Sequence, residues 1–331
     1  MNRRFTIAHA TRRVITVAAA IGIGVPGGLD AQVRALEELP VVARVLLARS
    51  PDWLAEGFGS MWVVNYRPNR VSRIDPASNA VVAEIPLGST GCLGIVVALD
   101  RVWVPTCGDG TLNEIDPATN QVARRIPVPI AGGREGAFAF SDGSFWLPAN
   151  VPDSSSSDIV RVDPRSGSVI AHVAVGTRTD VVVAGFGAVW AASSVGDVVL
   201  RIDPRSTAVI ARVDVGPSPK FMAAGEGALW VQNRRDGSVS RVDPEANREI
   251  ARIEARVPTP YGDITVAAGA VWLSVNRTPL TRIDPRTNRV THQFTGGDGA
   301  DAVRFGFGAL WIADHAHGEV WRIDLNRLPP P

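Results

Sequence analysis

The sequence predicts an all-β fold: a seven-bladed β-propeller with four antiparallel strands per blade, closed by an N-terminal outer strand in the last blade. Three observations predict it. A Trp recurs at 62, 103, 146, 190, 230, 272 and 311, at intervals of 39 to 44 residues, each after a turn and an apolar step such as GFGAVW or GEGALW. Twelve to seventeen residues after each Trp comes an Asp, followed by Pro in six of seven copies: RIDP or its variants at 73–76, 114–117, 161–164, 201–204, 241–244 and 282–285, with RIDL at 322–325. Finally, VVARVLLARSPDWLAEGFGSMW (41–62) aligns without a gap to VIARVDVGPSPKFMAAGEGALW (209–230). A self-similar unit of this length, rich in short alternating strands and Gly and Asp-Pro turns, is a propeller blade.

Residues 1–31 read as a signal peptide. Arg3, Arg4, Arg12 and Arg13 precede an apolar run from Val14 to Val25, and small residues lead to Leu29-Asp30-Ala31. The run is shorter than the ~20 apolar residues a membrane span needs, and no later segment qualifies, so the mature chain is expected to have no span. Export to the periplasm or the cell exterior follows. Losing four Arg and one Asp takes the formal charge of +1 to about −2. A near-neutral chain without a basic stripe lacks the footprint of a nucleic-acid binder.

The propeller occupies 40–325, followed by a C-terminal tail, 326–331. In each unit strand a precedes the Gly turn, strand b carries the Trp, strand c ends in Ile/Val-Asp, and strand d follows the Asp-Pro turn. After Asp324 there is no strand d, only Leu-Asn-Arg-Leu-Pro-Pro-Pro. The 41–62 segment supplies the missing outer strand, which leaves no open edge. Trp fills the space between blades, Gly admits positive φ in the turns and Pro preorganises the turn after Asp. Cys92 and Cys107 lie symmetrically about the Leu99-Asp100 turn of one a–b hairpin, so they are expected to face each other in a disulfide.

Loop lengths single out one face. The turn from strand c into d has constant length, whereas b–c segments run from 12 to 17 residues and d–a segments from 17 to 20. Those two connections emerge together, and insertions on one face mark a binding face. Where strand a enters the channel stand Asp52, Asp180, Lys220 and Asp301, with Trp53, Glu135, Tyr261 and Asp263 beside them and Arg234 and Arg277 on the b–c loops. Carboxylates, cations and aromatics together suit a polar ligand: a small molecule or a protein partner at the channel of a monomer. His172 and His292 fall on strand d, at the outer rim. Asp314-His315-Ala316-His317 is on the variable face, and an extended stretch would put both imidazoles on one side. Asp314, His315 and His317 could supply a general base, and His315 and His317 with Asp301 could hold a divalent metal.

The unit Leu/Val-Trp-Val/Ile/Leu followed by Arg-Ile-Asp-Pro-x-Thr-Asn-x-Val resembles exported propellers of the YncE-like and virginiamycin B lyase-like (streptogramin lyase) group, across about 40–325. The resemblance implies the propeller fold and, as an alternative to a binding module, a metal-dependent carbon–oxygen lyase or hydrolase of a cyclic or polar ester, with Mg²⁺ and a His base. Blades of that group carry Trp-Phe-Thr-Glu. Here the positions matching that Glu hold Asn65, Thr106, Ala149, Ser193, Asn233, Val275 and Asp314, and no His enters the channel on strand a.

Overall fold

The computed structural model describes residues 32–330, apart from 48, 131–134, 151–156 and 258–261 and the side chain of Asn150. Segment 1–31, expected from the sequence to be a signal peptide, and Tyr261 lie outside the described residues. Seven antiparallel sheets follow one another, each ordered a-b-c-d from the channel outward. Blade 4 is representative, with strands Val181–Gly185, Ala188–Ser193, Val198–Asp203 and Ala208–Asp214. Among the described residues no helix is long and apolar enough to cross a membrane.

Each blade is built on its Trp. All seven are 0–2% exposed, and each indole N–H donates to the carbonyl five residues earlier, as Trp190 does to Gly185 at 3.0 Å. The a–b hairpins turn on two residues of positive φ, such as Phe186 (53°) and Gly187 (68°), the two-residue geometry whose twist matches that of the strands.

The Arg of the RIDP motif is a blade-to-blade latch. Arg241 lies 5.0 Å over the Trp230 ring and donates to the Pro285 carbonyl and Asn288 Oδ1 of the next blade, at 2.6 and 2.9 Å. Arg73 and Arg201 repeat the arrangement, and Arg322 reaches from blade 7 to Pro76 and Asn79 of blade 1. In blade 2 the position is Glu114, and Arg124 of strand d takes over, bonding the Pro164 and Arg165 carbonyls. The RIDL departure in blade 7 has its counterpart at Arg282, which still covers Trp272 but bonds Thr291 of its own blade.

Strand β2 (Val41–Leu46) closes the ring as the outer strand of blade 7, with Val41 opposite Ile323. Strand β1 (Val33–Ala35) was not foreseen. It adds a fifth, parallel strand to blade 6, with Val33 opposite Gln293. Leu36–Glu38 then crosses to blade 7 as one 3₁₀ turn, with Leu39 buried in the core between the two blades. The tail folds back here as well. The Pro330 carbonyl accepts from Arg34, and the Pro329 carbonyl lies 2.7 Å from His292 Nε2. His292 is therefore buried, not at an open rim; His172 is exposed as expected.

The Cys92–Cys107 disulfide is formed, with Cα atoms 5.7 Å apart. Its setting differs from a regular hairpin. Strand a of blade 2 is only Val96–Ala98, and the pairing slips by two residues before it resumes at Gly91 opposite Thr106. Gly94 (φ 82°) stands against the Trp53 ring at this point, where a Cβ would come within 3.1 Å. The strand gives way to the indole.

Candidate functional site

The variable face holds a cavity of about 350 Å³ between blades 1 and 7, lined by Asp52, Tyr66, Glu135, Asn276, Asp298, Asp301, His315 and their neighbours. Two of its carboxylates, Asp52 and Asp301, are delivered by a repeated irregularity. Strands a of blades 1, 5 and 7 (Arg49–Gly57, Pro219–Gly225, Ala300–Gly306) each carry one extra residue at the same place, after Pro51, Pro219 and Ala300. A bulge breaks the in–out alternation. Consecutive side chains then bury together: Asp52 with Trp53, Lys220 with Phe221, Asp301 with Ala302. Trp53 and Phe221 meet edge to face, ring centres 5.7 Å apart, at the head of a separate channel cavity of about 260 Å³ that also takes in Leu93, Val183 and Met222.

The acids of the mouth are buried and crowded. Asp52 is 3% and Asp301 8% exposed. Burial first, then the charges of Asp301 and Glu135, holds the Asp52 carboxyl well above the usual carboxylate range, against a hydrogen bond from Tyr66. Burial and the charges of Glu135 and Asp263 push Asp301 up to about 8, against a hydrogen bond from the Gly262 N–H. Burial also raises Glu135, opposed by Lys220, whose Nζ lies 3.1 Å from it. Tyr66 is raised by burial and then by Asp52. His315 is lowered by burial, so its ring is neutral at pH 7, and it bonds the Pro51 carbonyl. Three atoms on this one wall have no hydrogen-bond partner: Asp301 Oδ1, Asn276 Oδ1 and His315 Nδ1. One ligand atom from each of Asp52, Asp301 and His315 lies within 4.8 Å of the other two.

The expected residues divide. Asp52, Asp301 and His315 converge, and Lys220 joins them through Glu135. Asp314 and His317 do not. Residues 314–318 form a tight turn, Gly318 N–H to Asp314 carbonyl at 3.0 Å, so the alternation of an extended stretch does not apply. Asp314 Oδ1 caps this turn, accepting from the His317 N–H and facing its Nδ1 at 2.8 Å, while His317 points out toward Asp298 at 3.5 Å. Gly299 allows this packing, since a Cβ there would lie 1.7 Å from Asp314 Oδ1. Trp53 and Asp263 line the apolar cavity instead, Asp263 paired with Arg304 at 3.2 Å. Asp180 faces Arg178 at 3.8 Å, and its carbonyl takes the Ala137 N–H. The charge of Arg234 lowers Glu135, and Arg277 is exposed on its turn. Tyr66, absent from the expected set, lines the cavity beside Asp52.

The solved structures the chain is similar to share its architecture. Selenomethionine-substituted virginiamycin B lyase from Staphylococcus aureus superposes with a TM-score of 0.71 at 14% identity, over 86% of this chain and 98% of that one. A catalytically inactive variant of that lyase with quinupristin gives 0.70 at 14%, over 87% and 98%. At this identity the likeness shows the fold. Four of the positions matching the lyase-group Glu are spent on structural bonds: Asn65 bonds Ser72, Thr106 bonds Asp109 and Asn233 bonds Ser240 within their own blades, and Ser193 bonds Thr177 at the end of the outer strand of blade 3. No curated protein matches the chain. The family model described as a repeat of unknown function (DUF6923) matches residues 90–223 and 217–326, and the chain belongs to that family.

Proposed function

We propose that the protein is an exported binding module whose channel mouth, on the b–c/d–a face, takes up a positively charged, polar ligand. One observation carries this: three unpartnered acceptor atoms, on Asp301, Asn276 and His315, line a single cavity that also contains Asp52, Glu135 and Asp298. Buried acceptors without partners cost free energy, and a ligand rich in N–H donors or positive charge relieves that cost. The disulfide is consistent with an oxidising compartment. The test is calorimetry with the chelator-treated protein against spermidine, arginine and an aminosugar. Binding is expected to weaken at least tenfold in Asp301→Asn. If neither these probes nor a metal ion binds, the reading fails.

A second reading, an ester-opening lyase, is favoured by a neutral His315 beside a carboxyl that keeps its proton to about pH 8, a base and an acid on one wall. Were Asp52, Asp301 and His315 instead to hold a divalent cation such as Mg²⁺, they would no longer serve as acid and base, and the ion would supply polarisation of an ester carbonyl. Incubation with quinupristin, with and without chelator, decides it: no chelator-sensitive ring-opened product ends this reading.

A further inference from the structure

We infer that the cation taken up at the channel mouth is a divalent metal ion of the Mn²⁺ or Zn²⁺ type, held by Asp52, Asp301 and His315. This rests on the cation-binding reading above and narrows it. The trio joins strand a of blade 1, strand a of blade 7 and the turn after strand b of blade 7 (Ala309–Asp314), so it forms only once the ring is closed.

The donor set is one that a metal ion selects. An ammonium group is satisfied by any three acceptors, imidazole nitrogen included, and does not call for this mixture. A metal ion binds carboxylate oxygen and imidazole nitrogen together. The His315 ring is held at the Pro51 carbonyl while its Nδ1 is bare. A partner that fixes one ring nitrogen and leaves the other as a lone-pair donor is the usual support of a metal-bound His. Asp301 supplies the second, independent sign: 8% exposed, with Oδ1 unpartnered and on the cavity wall while the carboxylate takes the Gly262 N–H. The 4.8 Å limit on the separations of the three atoms leaves room for one ion at bonds of about 2.0–2.2 Å. Imidazole in the set favours Mn²⁺ or Zn²⁺ over the all-oxygen preference of Ca²⁺ and Mg²⁺. Tyr66, bonded to Asp52, and Asn276 border the ion and leave the solvent side of the cavity for an exogenous ligand.

The experiment is titration of chelator-treated protein with MnCl₂ and ZnCl₂ by calorimetry, with Mn²⁺ electron paramagnetic resonance and paramagnetic broadening of the histidine ring signals in the unmodified protein. We expect one ion per chain, selective loss of the His315 signals, and at least tenfold weaker binding in Asp52→Asn, Asp301→Asn and His315→Ala but not in His317→Ala. Broadening in the unmodified protein keeps the test valid should a variant fail to fold. Loss of binding in His317→Ala alone, equal affinity in all variants, or broadening confined to His317 would overturn the assignment. No metal binding, with spermidine still binding, would overturn it and leave the cation-binding reading standing. Failure of both would remove both.

Discussion

The two faces of this propeller put the same side chain to opposite uses. On the face of the c–d turns, Asp75, Asp163, Asp203, Asp243 and Asp284 are half-buried at the surface, each accepting local hydrogen bonds. The bond comes first from the Ser78 hydroxyl at Asp75 and first from a backbone N–H at the other four, and these bonds hold the carboxyls below the usual carboxylate range. At the channel mouth Asp52 and Asp301 are buried, crowded by other acids and held above that range. The first arrangement recurs around the ring and stabilises it. The second occurs once and opposes folding at neutral pH. Acids that the fold does not need, kept where they cost stability, are what the ligand proposed for the mouth would explain.

The comparison can be broken at the latches first. Arg241→Ala removes a stacked cation and two bonds to the next blade, and should cost about 2–4 kcal/mol in urea unfolding. Arg282→Ala, which loses a stack but no latch, should cost about half as much; equal costs would mean that the link between blades contributes nothing. Reducing the disulfide, on the mouth side, should cost about 3 kcal/mol in the chain-entropy model for a loop of ~15 residues. Two titratable thiols in the denatured, unreduced protein would show that the bond is absent.

The remaining predictions have opposite signs. Asp301→Asn in chelator should raise stability by about 1–2 kcal/mol at pH 8, because it removes a buried carboxylate with one unpartnered oxygen. Between the ordinary carboxylate range and about pH 8 the folded chain holds a proton there that the unfolded chain has lost. Stability therefore falls as pH rises through that window, and the gain from Asn should shrink toward pH 5. A gain independent of pH would show that Asp301 does not titrate there. Asp243→Ala should give the smallest effect, a destabilisation. The turn aspartates have depressed folded values, so their contribution is complete above the ordinary carboxylate range and is lost as pH falls through those values. The deficit of Asp243→Ala should accordingly vanish in acid, where the deficit of Arg241→Ala persists.

The fold was legible because its signals repeat. Seven Trp, six Asp-Pro turns and one gapless alignment fix the blade count and the closing strand, and each has a packing reason visible in a single unit. The latch Arg was legible too, yet it went unread: the partner of each RIDP lies in the next repeat, so no unit taken alone shows it. Strand β1 escaped because three residues of parallel edge carry no pattern. The site was half legible. Counting back from each Trp located Asp52, Lys220 and Asp301, because the bulges recur in register. It did not show that Asp180 pairs with Arg178, nor that a turn separates His315 from His317. The signal for that turn was present in the glycines: Gly318 ends it, and Gly299 makes way for Asp314.

The strap formed by β1 and β2 has a consequence for how the molecule comes into being. The first strands of the described chain pair with the last two blades, so they must wait through the making of every other blade before they find their partners. Blades 1 to 5 can assemble in order on local hairpins, but the metal trio, divided between blade 1 and blade 7, exists only after the final docking step. A chain lacking blade 7 therefore has no such site. Occupancy of the mouth would then work as a completion check, because a ligand bound between Asp52 and Asp301 ties together the two ends of the ring, which otherwise meet noncovalently inside blade 7, where β2 pairs with Glu319–Ile323.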